Sequence, residues 1–203
     1  MLRKIGFIVV ALFLLTSTGL GQDNRFEVSL SGAGVFSKES DGNGIRLTPT
    51  QGWGVLGTLG LRLAAKHSLE LNYARTKDSQ IYNAPPFVYR IPSTISEFSG
   101  AYVFRPLQTK KLEPFLLIGA GALVFNPDDT IVNGNQLGIG AVRQTKPAFL
   151  YGGGVDYPLF ERLALRFQYR GIFYSAPDFR VVNILTSARG HFAEPSLGIV
   201  FKF

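Results

Sequence analysis

A period of two runs through most of this chain: in eight stretches, bulky apolar side chains alternate with small or polar ones. Successive side chains of a strand point to opposite faces, so each stretch predicts a strand whose faces meet different surroundings. In the first, Phe26, Val28, Leu30 and Phe36 oppose Glu27, Ser29, Ser31 and Ala33. In the second, Trp53, Val55, Leu59, Leu61 and Leu63 oppose Gly54, Thr58, Gly60, Arg62 and Ala64. The third sets Leu69, Leu71 and Tyr73 against Ser68, Glu70 and Asn72; the fourth sets Phe98, Tyr102 and Phe104 against Glu97, Ser99, Ala101 and Val103. The fifth is apolar on both sides, Phe115, Leu117, Leu123 and Phe125 alternating with Leu116, Ile118, Ala120, Ala122 and Val124; its smaller face is assigned inward. The sixth places Phe149, Tyr151, Val155 and Tyr157 opposite Ala148, Gly152, Gly154 and Asp156. Leu163, Leu165, Phe167, Tyr169 and Phe173 oppose Ala164, Arg166, Gln168 and Arg170 in the seventh. The eighth sets Leu197, Ile199, Phe201 and Phe203 against Glu194, Ser196, Gly198, Val200 and Lys202.

Each run has about the 9–11 residues that a tilted strand needs to cross a bilayer. Long connections near 38–50, 78–93, 126–147 and 175–189 alternate with short ones at Ala65-Lys66, 106–113 and 158–161. This spacing predicts an all-β fold, an eight-stranded antiparallel up-and-down transmembrane barrel, with short turns in the periplasm and long loops outside. A soluble eight-stranded barrel would hide its bulky face in the lumen. Eight strands enclose a space barely wide enough for side chains, and the Phe, Tyr and Leu of this chain would overfill it. The bulky face is therefore assigned to lipid, with Phe26, Phe36, Trp53, Tyr73, Phe104, Phe115, Phe125, Tyr157 and Phe173 as interfacial girdles.

Residues 1–21 have the layout of a secretory signal peptide: Arg3 and Lys4, an apolar run from Ile5 to Leu15, then small residues ending at Gly19 and Gly21. The mature domain is expected at 22–203. Removing Arg3 and Lys4 lowers the net charge from +7 to +5, spread too thinly to suggest nucleic acid. The chain has no Cys, which excludes disulfides, thiolate metal sites and an acylated lipoprotein Cys.

The ending Leu197, Ile199, Phe201 and Phe203, apolar at alternate positions with a terminal Phe, resembles the signal that the bacterial barrel-assembly machinery recognises. With the Gly119-Ala120-Gly121 and Gly152-to-Tyr157 stretches, the span 22–203 resembles small outer-membrane barrels of the OmpA transmembrane-domain and OmpX kind. The resemblance implies residence in the bacterial outer membrane, contact with lipopolysaccharide, assembly by that machinery and a monomeric state. No peptidoglycan-binding role, as in longer relatives, is expected.

Glu27, Arg62, Glu70, Glu97, Asp156, Arg166, Arg170 and Glu194 fall on the inward face. Buried charges must be paired or hydrated, so these predict a salt-bridge ladder with Arg166 and Arg170 shared among carboxylates. A plugged lumen is the expectation; the alternative is a narrow porin-like channel for ions or small hydrophobic solutes, gated by the same pairs. The loop from Asp78 to Pro92 carries Tyr82, Phe87 and Tyr89 among Ile81, Val88 and Ile91. Two readings are open: these residues fold over the mouth or extend the strands, or they form an extracellular binding patch. Lys38, Arg46, Arg143, Lys146, Arg180 and Arg189 are expected near the outer rim, within reach of lipid phosphates.

Enzymatic chemistry is not expected. His67 and His191 are the two histidines, and they fall at opposite barrel ends. The match of Gly52-to-Gly57 to a dinucleotide fingerprint lacks the helix that motif requires. Asp128, Asp129, Asn133 and Asn135 lack calcium-loop spacing and read as turn chemistry. No cofactor or metal is predicted, and the role inferred is structural or one of surface interaction.

Overall fold

The computed structural model describes residues 25–107, 109, 111–138 and 140–203; the signal-peptide segment 1–21 lies outside them. Eight strands of 12 to 18 residues carry the fold: β1 (Phe26–Ser37), β2 (Gly52–Ala64), β3 (His67–Ala84), β4 (Phe87–Phe104), β5 (Glu113–Pro127), β6 (Gln144–Phe160), β7 (Leu163–Ser175) and β8 (Arg189–Lys202). Each pairs antiparallel with its sequence neighbours. β1 also pairs with β8, Glu27 opposite Lys202 and Phe36 opposite Ala193. The sheet closes on itself, so the spanning strands leave no unpaired edge in lipid.

The second long connection is not a loop. β3 and β4 run on to Ala84 and Phe87 and leave only Pro85-Pro86 at the tip. The alternation of buried and exposed residues continues up both strands, with Gln80, Tyr82, Tyr89 and Ile91 facing in. Two small hairpins cap the same end, Ser40–Gly42 with Ile45–Leu47 and Ile131–Val132 with Asn135–Gln136. Both turn on Asn-Gly, with φ of 53° and 75° at Asn43-Gly44 and 47° and 86° at Asn133-Gly134, the positive pair that a tight hairpin turn demands.

The fifth strand corrects the face assignment. Phe115, Leu117, Leu123 and Phe125 are buried in the lumen, while Leu116 and Ile118 are exposed to the bilayer side. Phe115 and Phe125 are therefore not girdle residues. Cross-strand neighbours share a face, and the outward Phe98 and Phe149 stand opposite Ala122 and Ala120. Two aromatic rings on the outside thus require small residues beside them on β5, which turns its bulky residues inward. Between them, a Cβ on Gly121 would lie 2.3 Å from the Phe98 carbonyl oxygen, so only glycine permits that strand approach.

The lumen also departs from an interior of small residues and ion pairs. Its outer half is an apolar core that includes Val35, Leu47, Ile95, Leu150, Ile172 and Phe192. At the same height the outer wall becomes polar, with Arg75, Lys77, Ser79, Arg90 and Ser175 outward. The strands have left the hydrocarbon there and obey the rule of a water-soluble barrel, apolar inside and polar outside. The inversion of faces marks where the lipid-facing apolar band ends toward the long loops.

Candidate functional site

The half of the lumen nearer the short turns is filled by ions. Arg166 lies opposite Asp156 across the β6–β7 pair and grips it with two hydrogen bonds, Nε to Oδ1 at 2.7 Å and Nη2 to Oδ2 at 2.8 Å. Its Nη1 donates to Glu70 Oε1 across the barrel at 2.9 Å. Glu27 accepts from Arg62 Nη2 at 2.6 Å and from Arg105 Nη2 at 2.8 Å. Arg105 also donates to Ser68 Oγ at 2.6 Å, and Lys202 Nζ donates to Glu113 Oε2 at 2.8 Å. Phe115 packs against this tier, its centroid 4.8 Å from the Arg166 guanidinium carbon and 5.9 Å from that of Arg105. A desolvated cation over an aromatic face gains further stabilisation, which accounts for an inward Phe in a polar tier.

A second tier sits higher. Arg170 donates Nη1 to Glu97 Oε1 and Nη2 to Glu97 Oε2, each at 2.9 Å. Its Nε donates to Glu194 Oε1 at 3.0 Å, the residue opposite it on β8. All eight ions expected on the inward face thus lie in the lumen, and the structure divides them into two groups. Glu27, Arg62, Glu70, Asp156 and Arg166 form the lower one; Glu97, Arg170 and Glu194 form the upper. Arg105 and Glu113 are members that the sequence reading missed, and Lys202, placed on the inward face, was left out of the expected ion set. Parity was the available signal: Arg105 follows Val103 by two on the inward face, although Pro106 places it at a turn.

Above the upper tier lies the apolar plug, which the segment 176–188 enters from outside. Phe179 and Ile184 are fully buried. Phe179 and Arg180 hold φ of 50° and 57°, a costly conformation for bulky residues that the surrounding packing must impose. Tyr82 donates its hydroxyl to the Pro177 carbonyl at 2.5 Å and meets Phe179 edge-on. Asn183 Nδ2 donates to Tyr89 Oη at 3.1 Å. The two tyrosines of the candidate binding loop are therefore clamps on the plug, with rings buried, as in the reading that extends the strands; Phe87, 45% exposed, is the ring that faces water. Gln144 adds a latch, its Oε1 accepting from the Asp178 and Phe179 N–H groups and its Nε2 donating to Asp178 Oδ1. Burial pushes the Asp178 carboxyl up, but the Gln144 amide and the Arg180 N–H more than offset this and hold it below the usual carboxylate value.

The remaining residues of interest fall at the ends. Leu197, Ile199 and Phe201 face outward on β8, and Phe203 packs on Phe201 with centroids 5.0 Å apart. His67 meets the Tyr102 hydroxyl near the short turns, and His191 lies 3.1 Å from the Tyr151 hydroxyl near the long loops. Among the described residues no group of His, Cys, Asp or Glu is arranged to hold a metal ion. Gly52 to Gly57 lie within β2, with no helix following.

These features define a transmembrane β-barrel of the bacterial outer-membrane type, eight-stranded and closed, with buried salt bridges in its interior. Solved structures of low sequence identity share the fold. Neisserial surface protein A superposes with a TM-score of 0.58 at 17% identity, over 90% of this chain and 99% of that one. The outer membrane protein OprG of Pseudomonas aeruginosa gives 0.52 at 13% identity, over 90% and 98%. The outer membrane protein AlkL gives 0.51 at 11% identity, over 92% and 94%. No protein-family model matches the chain, and no curated protein matches it in sequence.

Proposed function

We propose that this chain is an integral protein of the bacterial outer membrane with a structural or surface-interaction role and a lumen closed at rest. The observation that carries the reading is the pair of seals in series, ion-paired tiers below and the apolar plug above. Isolated charges at these positions would be very costly, so the ions hold one another in place and leave little for a passing solute. On this reading residues 1–21 direct export and 22–203 form the mature, monomeric barrel. Leu197, Ile199, Phe201 and Phe203 present the terminal pattern to the barrel-assembly machinery, and lipopolysaccharide surrounds the outer wall. Surface contacts fall to the exposed Phe87, Val88, Val182 and Leu185 on the outer rim.

Planar-bilayer recording tests the closed lumen. Purified protein is expected to give no steady conductance; a large, sustained one would overturn the reading in favour of the narrow channel. Membrane fractionation with a heat-modifiability gel tests the location.

A further inference from the structure

Two cations on the outer wall have no work inside the barrel. Arg75 and Lys77 alternate on β3 with the inward Ala74, Thr76 and Asp78, so both point to the membrane side. Neither takes part in the ion pairs of the described residues. β2 has no acid, and the acids of β3 and β4, Glu70, Asp78 and Glu97, are all buried on the inner face. The register places Arg75 between Val55 and Ser96, and Lys77 between Trp53 and Thr94. Two residues of strand rise separate the cations by roughly 7 Å, close enough for both to reach one phosphate, with the Ser96 and Thr94 hydroxyls beside them. This is also the height at which the faces invert, where lipid headgroups lie.

Directly below, Tyr73 and Phe98 pair with centroids 5.0 Å apart. They border a groove of about 630 Å³ in the lipid-facing wall, lined also by Gly57, Leu59, Leu71 and Gly100. A Cβ on Gly57 or Gly100 would meet nothing nearer than 3.8 Å or 4.0 Å, unlike Gly121 at 2.3 Å. Strand packing does not require glycine at those two positions; their effect is to keep the groove open. We infer that this patch binds a phosphate-bearing lipid of the outer leaflet, its phosphate held by Arg75 and Lys77 and an acyl chain laid in the groove. Charge complementarity selects the anionic headgroup, and the apolar groove beneath selects a lipid over a soluble phosphate. The inference rests on the outer-membrane reading and names a partner within it.

The test reconstitutes the protein in phosphatidylcholine nanodiscs containing bis-phosphorylated lipid A or the same lipid without its phosphates. Native mass spectrometry then reads the lipid retained on release. The phosphorylated lipid should be retained preferentially. Arg75→Ser with Lys77→Ser should cut that retention about tenfold or more, and Gly57→Leu with Gly100→Leu should lower it by filling the groove. Lys66→Ser, in the exposed short turn at the opposite end of the barrel, should leave it unchanged. A heat-modifiability gel verifies that each variant is a folded barrel; Lys77→Gln alone serves if the double variant fails it. Retention indifferent to the phosphates, or unchanged in the folded cation variants, overturns the inference and leaves the outer-membrane reading standing. Failure of the wild-type chain to insert as a heat-modifiable barrel overturns both.

Discussion

Arg166 is where the cost of a buried charge is most concentrated. Its fully buried guanidinium satisfies Asp156 and Glu70 at once, so Arg166→Met strands Glu70 inside the lumen and leaves Asp156 only Arg105 at 3.8 Å. Breaking such a pair costs about 3–5 kcal/mol, which urea unfolding of the barrel in lipid vesicles should read. Arg62→Met should cost less, because Arg62 is partly exposed at the barrel end and Arg105 still pairs with Glu27. On the opposite face, Phe167→Arg puts a cation into the hydrocarbon near mid-height on β7. The same unfolding assay should show a loss of about 2–4 kcal/mol. The parity that separates these two experiments was readable from the alternation of Arg166 and Phe167. Which acids Arg166 meets was not, because Glu70 is 96 residues away in sequence and only barrel closure brings it across.

The segment 176–188 owes its place to side chains on other elements. Gln144→Ala removes the latch on Asp178 and Phe179 and should speed amide hydrogen exchange across 176–188 while exchange in β1 and β8 stays slow. Acid should do the same by another route. The Asp178 pKa is depressed in the fold, so its contribution is complete at neutral pH. That contribution weakens as pH falls past the ordinary carboxylate value of about 4 and is lost below the folded pKa. The protection of the 176–188 amides, their exchange relative to the intrinsic rate at each pH, should therefore be flat near neutrality and fall only in acid. The Asn-Gly turns of the two hairpins are legible in sequence by their chemistry. β3 and β4 above Asp78 were harder to read. Once the outer wall meets water, the apolar residues change sides, and a scan for one apolar face sees the pattern end where it has only inverted. β5 escaped for a different reason: with apolar residues on both faces, only the neighbours Phe98 and Phe149 decide its orientation.

For the whole molecule, the two seals act in series, and removing one should not open the lumen. Replacing 177–187 by a short Gly-Ser linker should leave a heat-modifiable barrel without steady conductance, because Arg170 still ties Glu97 to Glu194 across the interior. Combining that change with serine at Arg170, Glu97 and Glu194 should still give no steady current in planar bilayers, because Arg166 ties Asp156 to Glu70 across the lower tier. Current from the loop replacement alone would show that the upper ionic tier does not block. The architecture was legible because alternation and connection lengths are local properties. The division of the lumen into ionic and apolar halves was not, since it depends on where the membrane ends.

The pairing of β1 with β8 joins residues as far apart as Glu27 and Lys202. That contact has nearly the greatest loop-closure entropy the chain can incur, and it forms only when both end strands are present. A product lacking either one would keep a row of unsatisfied amides and carbonyls at hydrocarbon depth, with no partial barrel as a resting place. Closure thereby depends on both end strands at once: a chain that carries β1 and β8 seals, and one that lacks either keeps an open edge.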